Sequence, residues 1–217
     1  MLPPASTNII QLRELLAAKF PQLPVRSACA AFGTGFPRLD AVLGQGLPLG
    51  GITEVVAHGC GGGLLLNMLL SASARRSTFL ALIDSRDSFD AAAWPAAVLA
   101  RLLWVRGGTA ERAMKAADLL LRDANLPLVV LDLRASSKEE MRRIPATSWY
   151  RLQRVVEPTA TACVVLTPRG LVSSARARVR LEGRFTLNAF ERRTTELLEE
   201  LEVALVREQP ERIRQFA

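Results

Sequence analysis

Short apolar runs alternate with helical patterns along most of the chain. Continuous hydrophobic runs are typical of strands buried on both faces of a sheet, whereas apolar residues at helical spacing indicate helices. The runs predict strands at residues 52–56, 78–83, 103–105, 128–132 and 162–167. The segments between them predict helices at residues 64–74, 94–99, 109–124 and 136–156, the last with a break at Pro145. This alternation predicts an α/β fold with a mostly parallel sheet flanked by helices.

Two segments near the C-terminus alternate apolar and polar residues. Residues 177–187 and 201–207 fit antiparallel strands at one edge of the sheet. Residues 190–208 also fit a second interpretation, a single amphipathic helix, because their apolar residues recur at helical spacing as well. The sequence leaves this choice open.

The first 24 residues form a separate predicted unit. Residues 6–20 predict an amphipathic helix that ends before Pro21 and Pro24. Its apolar positions are Ile9, Leu12, Leu15, Leu16 and Phe20. This face is our candidate for docking on a neighbouring protein, and packing on the chain's own domain is the alternative. We therefore divide the chain into residues 1–24, a helix and linker, and residues 25–217, one domain.

Composition narrows the class of protein. The chain has 217 residues, of which 49% are hydrophobic and 23% charged, and these fractions exclude a disordered, low-complexity chain. No run of about 20 consecutive apolar residues predicts a membrane span. The first residues lack a basic region followed by an apolar run, so we expect a cytoplasmic protein without membrane attachment.

Positive charge is concentrated in the C-terminal third. The net charge is +7, and residues 134–193 contain 13 basic and 5 acidic residues. Such an excess suits a surface that binds nucleic acid or an acidic partner. The alternative is that the use of 25 Arg against 3 Lys reflects the base composition of the genome and that these arginines form a solvated face. Arg176, Arg178 and Arg180 alternate along a predicted strand and so share one face. They form either a phosphate-binding row or pairs with glutamates.

A long glycine-containing pattern precedes the first predicted core strand. Residues 33–56 (GTGFPRLDAVLGQGLPLGGITEVV) resemble the segment that leads into the phosphate loop of RecA and RadA proteins. Residues 82–90 (LIDSRDSFD), 128–132 (LVVLD) and 163–170 (CVVLTPRG) resemble later strands of the same RecA-like ATPase core. The resemblance spans residues 32 to about 208. It implies a RecA-like sheet with an antiparallel C-terminal edge.

The phosphate loop itself is degenerate. A working loop reads G-x-x-x-x-G-K-[ST], because the lysine contacts phosphates and the hydroxyl holds magnesium. Here the loop contains Gly59, Gly61, Gly62, Gly63 and Leu64, with Gly63 at the lysine position and Leu64 at the hydroxyl position.

Further catalytic positions of the family are also replaced. The catalytic glutamate falls on Arg86 and the sensor glutamine on Pro168, while Asp132 stays at the Walker B position. A guanidinium does not act as a base. We therefore expect no enzyme activity, no cofactor and no metal; whether the loop amides still bind an anion stays open.

Within the RecA-like group the chain resembles ImuA, an accessory family of bacterial error-prone translesion synthesis in the SOS response to DNA damage. This implies docking to an ImuB-like polymerase homologue, RecA and the polymerase DnaE2, with nucleoid association through these partners and self-association left open. The place of the family's DNA-binding loop makes four arginines candidate DNA contacts: Arg169, Arg176, Arg178 and Arg180.

Two alternatives remain. Residues 52–70 also resemble SulA, a cell-division inhibitor that lacks a phosphate loop and binds FtsZ. The other alternative is an ATPase that is completed by a lysine from a partner.

Overall fold

The computed structural model describes residues 31–183 and 185–208. The helix predicted at residues 6–20 and its five docking positions lie outside these residues. The domain boundary predicted at residue 24 lies outside them as well. Both stay predictions.

A twisted sheet with one antiparallel edge forms the centre of the described chain. Its strands and a small outer pair are β1 (Ala31–Phe32), β2 (Leu47–Pro48), β3 (Gly51–Ala57), β4 (Leu80–Asp84), β5 (Leu102–Arg106), β6 (Leu128–Asp132), β7 (Ala162–Thr167), β8 (Ala177–Glu182) and β9 (Glu202–Glu208). The order in the seven-stranded sheet of the described residues is β5–β4–β6–β7–β3–β8–β9. All neighbours are parallel except β8 and β9. The predicted mostly parallel sheet with an antiparallel C-terminal edge is confirmed.

Helices cover both faces of this sheet. They are α1 (Pro37–Val42), α2 (Gly61–Arg75), α3 (Ala96–Leu99), α4 (Ala110–Asp123), α5 (Lys138–Arg142), α6 (Ala146–Val156) and α7 (Thr194–Glu200), with 3-10 turns at Ala91–Ala93 and Leu187–Glu191. The predicted break at Pro145 is confirmed: this residue is extended (ψ 145°) and precedes α6. No helix in the described ranges is long and apolar enough to cross a membrane.

The region of residues 190–208 combines a helix with a strand. The single-helix interpretation is wrong, because α7 ends at Glu200 and Leu201 is extended (ψ 120°). β9 then pairs with β8, with Val203 opposite Leu181. The earlier strand is shorter than predicted, since it ends at Glu182. Burial explains the change of structure: Leu201 is fully buried, and the extended chain beyond it completes the sheet edge.

Two apolar layers enclose the sheet. Every residue of β3, β4, β6 and β7 is buried, as expected for strands covered on both faces. One layer contains Leu65 and Leu69 of α2, and the other contains Trp149 and Leu152 of α6. The glycine-rich loop before α2 therefore connects a fully buried strand to a helix whose apolar side chains lie in the core.

An aspartate fixes the segment that leads into the sheet. The carboxylate of Asp40 accepts hydrogen bonds from the backbone N–H of Thr34 (2.9 Å), the Thr34 hydroxyl (2.8 Å) and the backbone N–H of Gly35 (3.3 Å). Thr34 is fully buried. The Thr-Gly and Leu-Asp elements of the sequence pattern thus belong to one hydrogen-bonded turn.

We predict that Asp40→Ala lowers the free energy of unfolding by about 2 kcal/mol, because buried donors lose a charged acceptor. Urea denaturation measures the change. The control is Asp90→Ala, since among the described residues Asp90 accepts only from the exposed Ala92 N–H. We expect a loss below about 1 kcal/mol there. Equal losses in the two variants would contradict the role assigned to Asp40.

Candidate functional site

A glycine-rich turn joins β3 to α2 at the carboxyl edge of the sheet. Gly59 takes a left-handed conformation (φ 62°), which glycine adopts without steric cost. α2 begins at Gly61 rather than at residue 64, where the sequence pattern starts it. The glycines of its first turn carry no apolar side chain and so leave no periodic signal. The turn has the strand–loop–helix order of a phosphate loop, and the first backbone N–H groups of a helix have no partner within the helix.

Two positions of this loop make apolar packing contacts where the resemblance implies a phosphate-binding loop. A Cβ on Gly61 would lie 3.3 Å from Leu201 Cδ1, so the helix start is pressed against the strand layer. Leu64, at the magnesium-ligand position of the resemblance, is buried in the apolar core. Gly63, at the lysine position, is exposed. Neither position offers a cation or a hydroxyl.

An arginine that the sequence reasoning did not single out lies beside the loop. Arg134 donates from Nε to Asp132 Oδ1 (3.0 Å) and from Nη2 to Asp132 Oδ2 (2.6 Å), and its backbone N–H also donates to Oδ1 (3.0 Å). Asp132 is 4% exposed. The Walker B-like carboxylate is therefore occupied by a two-pronged guanidinium pair, the strongest geometry for such a contact.

The same arginine covers the first turn of α2. A Cβ on Gly62 would lie 2.6 Å from both Cδ and Nη1 of Arg134, which is closer than atoms can approach. A Cβ on Gly63 would lie 3.9 Å from Nη1, an ordinary contact. Gly62 is thus the residue that admits the guanidinium. The signal available in the sequence is an arginine two residues after the strand-end aspartate.

The position of the family's catalytic glutamate is used for a surface ion pair. Arg86 pairs with Glu140, which lies in the first turn of α5. Burial opposes ionisation of Glu140, but hydrogen bonds from Ser137 and Arg86 outweigh it and lower the pKa of this carboxyl. Asp84, at the end of β4, accepts from the backbone N–H of Phe89 (2.8 Å). These carboxylates are satisfied by protein donors.

A cleft of about 270 Å³ opens beside the loop. Its lining includes Asn67, Phe89, Trp94, Asp132 and Arg134. Among the described residues, no group of three or more His, Cys, Asp or Glu side chains is arranged to hold a metal ion. Asp132 and Arg134, which form an ion pair with each other, therefore line this cleft as paired charges.

Comparisons with known proteins bear on the fold. No protein-family model matches the sequence, and no curated protein matches it. Among solved structures, the chain is similar to the RadB recombinase, with a TM-score of 0.55 and 17% sequence identity over 71% of this chain and 84% of that chain. The chain has the RecA-like fold. At this identity the similarity establishes the architecture alone.

On this RecA-like sheet, the predicted basic row lies on β8. Ala177, Val179 and Leu181 are buried, while Arg178 and Arg180 alternate with them. Arg180 pairs with the exposed Glu182 at 3.0 Å. Arg178 instead pairs with Glu54 on the adjacent β3, whose side chain is fully buried.

The Glu54–Arg178 pair holds the loop that follows β7. Glu54 Oε1 accepts from the Thr167 hydroxyl (3.1 Å) and from the backbone N–H groups of Leu171 (2.6 Å) and Val172 (3.1 Å). Arg178 Nη2 donates to the carbonyl of Val172 (3.1 Å). Glu54 is a second residue that the sequence reasoning missed. Its signal is one acid within an otherwise apolar strand.

The remaining predicted DNA contacts lie at the two ends of this loop. Arg169 follows Pro168 and is half-buried, with its Nε lacking a hydrogen-bond partner among the described residues. Arg176 precedes β8, and its backbone N–H donates to the Ile52 carbonyl (2.8 Å). The fold brings the four arginines to one region. Of these four, Arg178 is committed to a buried pair.

We predict opposite effects for two neighbouring glycines. Gly62→Ala displaces Arg134 and lowers the free energy of unfolding by about 2 kcal/mol. Gly63→Ala, the matched control, raises it by about 0.5 kcal/mol because alanine is the better helix former. Thermal and urea denaturation measure both. If the two variants are equally stable, Arg134 does not pack on the loop.

We predict a large difference between two arginines of β8. Arg178→Ala leaves the carboxylate of Glu54 buried without its cation and lowers the free energy of unfolding by about 3–5 kcal/mol. Arg180→Ala removes an exposed pair and changes it by less than about 1 kcal/mol. The measurement is urea denaturation at neutral pH. Similar small losses would show that Glu54 has other support.

Proposed function

We propose that this protein is a non-catalytic RecA-like accessory protein of the SOS response to DNA damage, acting by protein docking to recruit or regulate an error-prone translesion polymerase and RecA. The observation that carries the non-catalytic part is the Asp132–Arg134 pair against Gly62. Phosphoryl transfer relies on positioning and on cations that stabilise charge on the phosphates. Here the loop has lost its lysine and hydroxyl, and the acid is held by an internal guanidinium.

Exposed strands at the two edges of the sheet support the proposed docking role. The sheet ends on two edge strands, β5 and β9, that lack a strand neighbour among the described residues. Leu103 on β5 is 43% exposed and Val206 on β9 is 51% exposed. Edge strands and amphipathic helices are surfaces that other chains commonly pair with. The helix at residues 6–20 is the proposed anchor for an ImuB-like partner.

The test is complex formation in the absence of nucleotide. Tagged full-length protein is mixed with a purified ImuB-like polymerase homologue, with RecA and with FtsZ. We expect retention of the first two, and loss of it in Leu12→Glu/Leu16→Glu, because charges on the apolar helix face oppose docking.

The matched control for this test is Gln11→Ala/Glu14→Ala, which changes the polar face of the same predicted helix and should retain both partners. Retention of FtsZ alone, with inhibition of its polymerisation, would contradict the proposal and favour the division-inhibitor alternative. ATP hydrolysis that appears only with a partner would contradict it in favour of a completed ATPase.

A further inference from the structure

The two short helices α5 and α6 present a basic face that the sequence analysis did not single out. The exposed cations and the exposed aromatic side chain of these two helices and their ends are Lys138, Arg142, Arg143, Tyr150, Arg151 and Arg154. We call them the basic helical face. The opposite side of α6 buries Trp149, Leu152 and Val156 in the layer that also contains α4. Packing of α6 therefore directs its cations outward.

The cations of this face are mostly unpaired, whereas those of neighbouring α4 are neutralised. On α4, Lys115 pairs with Glu111 (2.8 Å) and Arg122 with Asp118 (2.9 Å). Arg151 shares Asp118 with Arg122. Among the residues that the structure describes, four cations of the face make no ion pair: Lys138, Arg142, Arg143 and Arg154.

Acidic side chains do not cancel this excess. On the same two helices and their ends, Glu139 and Glu157 are exposed, whereas Glu140 is held by Arg86 and by the N–H of Ser137. Four unpaired cations thus share these helices and their ends with two exposed acids. A surface with unpaired arginines of this kind attracts polyanions and binds them more weakly as salt rises.

The small number of apolar side chains on this face distinguishes between two kinds of polyanion, an acidic protein and a nucleic acid. Protein interfaces have an apolar centre surrounded by a polar rim. The large exposed hydrophobic side chains of the described chain include one on this face, Tyr150, which is 52% exposed. A single exposed aromatic ring among arginines suits single-stranded nucleic acid, whose bases stack on such rings while cations contact the phosphates.

We propose that the basic helical face binds the phosphate backbone of single-stranded nucleic acid, with Tyr150 stacking against a base. The face is distinct from the row on β8, where Arg178 is buried with Glu54 and Arg180 is paired. It belongs to the layer of α4 and α6, whereas α2 and the glycine loop belong to the other layer. The proposal does not depend on the docking role proposed above.

Fluorescence anisotropy of a labelled oligothymidylate of about 20 nucleotides tests this with the full-length protein. Arg142→Gln/Arg154→Gln removes two charges from the face. We expect binding about tenfold weaker at low salt, and a plot of log affinity against log salt that is shallower by about 1.4, from about 0.7 per lost phosphate contact. The matched control is Arg75→Gln/Arg76→Gln, at the exposed end of α2, and should change neither quantity.

A second variant measures the contribution of the Tyr150 ring to binding separately from that of the arginines. Tyr150→Leu should weaken binding about tenfold without changing the salt slope, because it removes stacking but no charge; Phe79→Leu, another exposed ring, is its control. Circular dichroism confirms that each variant is folded. Equal losses in both arginine pairs, or a loss confined to Arg180→Gln, would overturn the proposal. Displacement of the oligonucleotide by polyglutamate at equal charge concentration would overturn it in favour of an acidic protein partner.

Discussion

The arrangement around the glycine loop depends on one ion pair, Asp132 with Arg134, laid across the first turn of α2. Gly62 leaves space for the guanidinium, and the two-pronged contact satisfies a carboxylate that is 4% exposed. An unpaired carboxylate at this depth would be strongly unfavourable. A cation from the chain itself thus balances the acid at the edge where the resemblance implies phosphate and magnesium.

A second buried carboxylate, on β3, binds the loop that follows β7. Glu54 is fully buried and gathers the loop after β7 through Arg178 and two backbone N–H groups. Both acids are held by arginines of the chain, so this edge of the RecA-like sheet is stabilised internally. The exposed edge strands and the basic helical face are the surfaces through which we propose that the protein binds its partners.

Sequence patterns predicted the strands and the order of the helices because most of the central strands are continuous apolar runs. The start of α2 was missed because glycines carry no periodic signal. Residues 190–208 were ambiguous because Leu197, Leu198 and Leu201 recur at helical spacing while Leu201, Val203 and Leu205 alternate as in a strand. The absence of the lysine and of the hydroxyl could be predicted from Gly63 and Leu64 in the sequence. The role of Glu54 could not be predicted, because its pairing with Arg178 depends on strand register, which one sequence does not contain. The Asp132–Arg134 pair has a local signal in the sequence, but the contact of Arg134 with Gly62 depends on how α2 packs.

The central claim is that the glycine loop holds an internal cation in place of a nucleotide. Isothermal titration of the full-length protein with ATP and magnesium, and separately with ADP, tests it most directly. We expect no heat of binding at ligand concentrations up to about 1 mM, where a binding free energy of about −4 kcal/mol would be detected. Magnesium-dependent binding of the triphosphate, with release of Arg134 from Asp132, would contradict it.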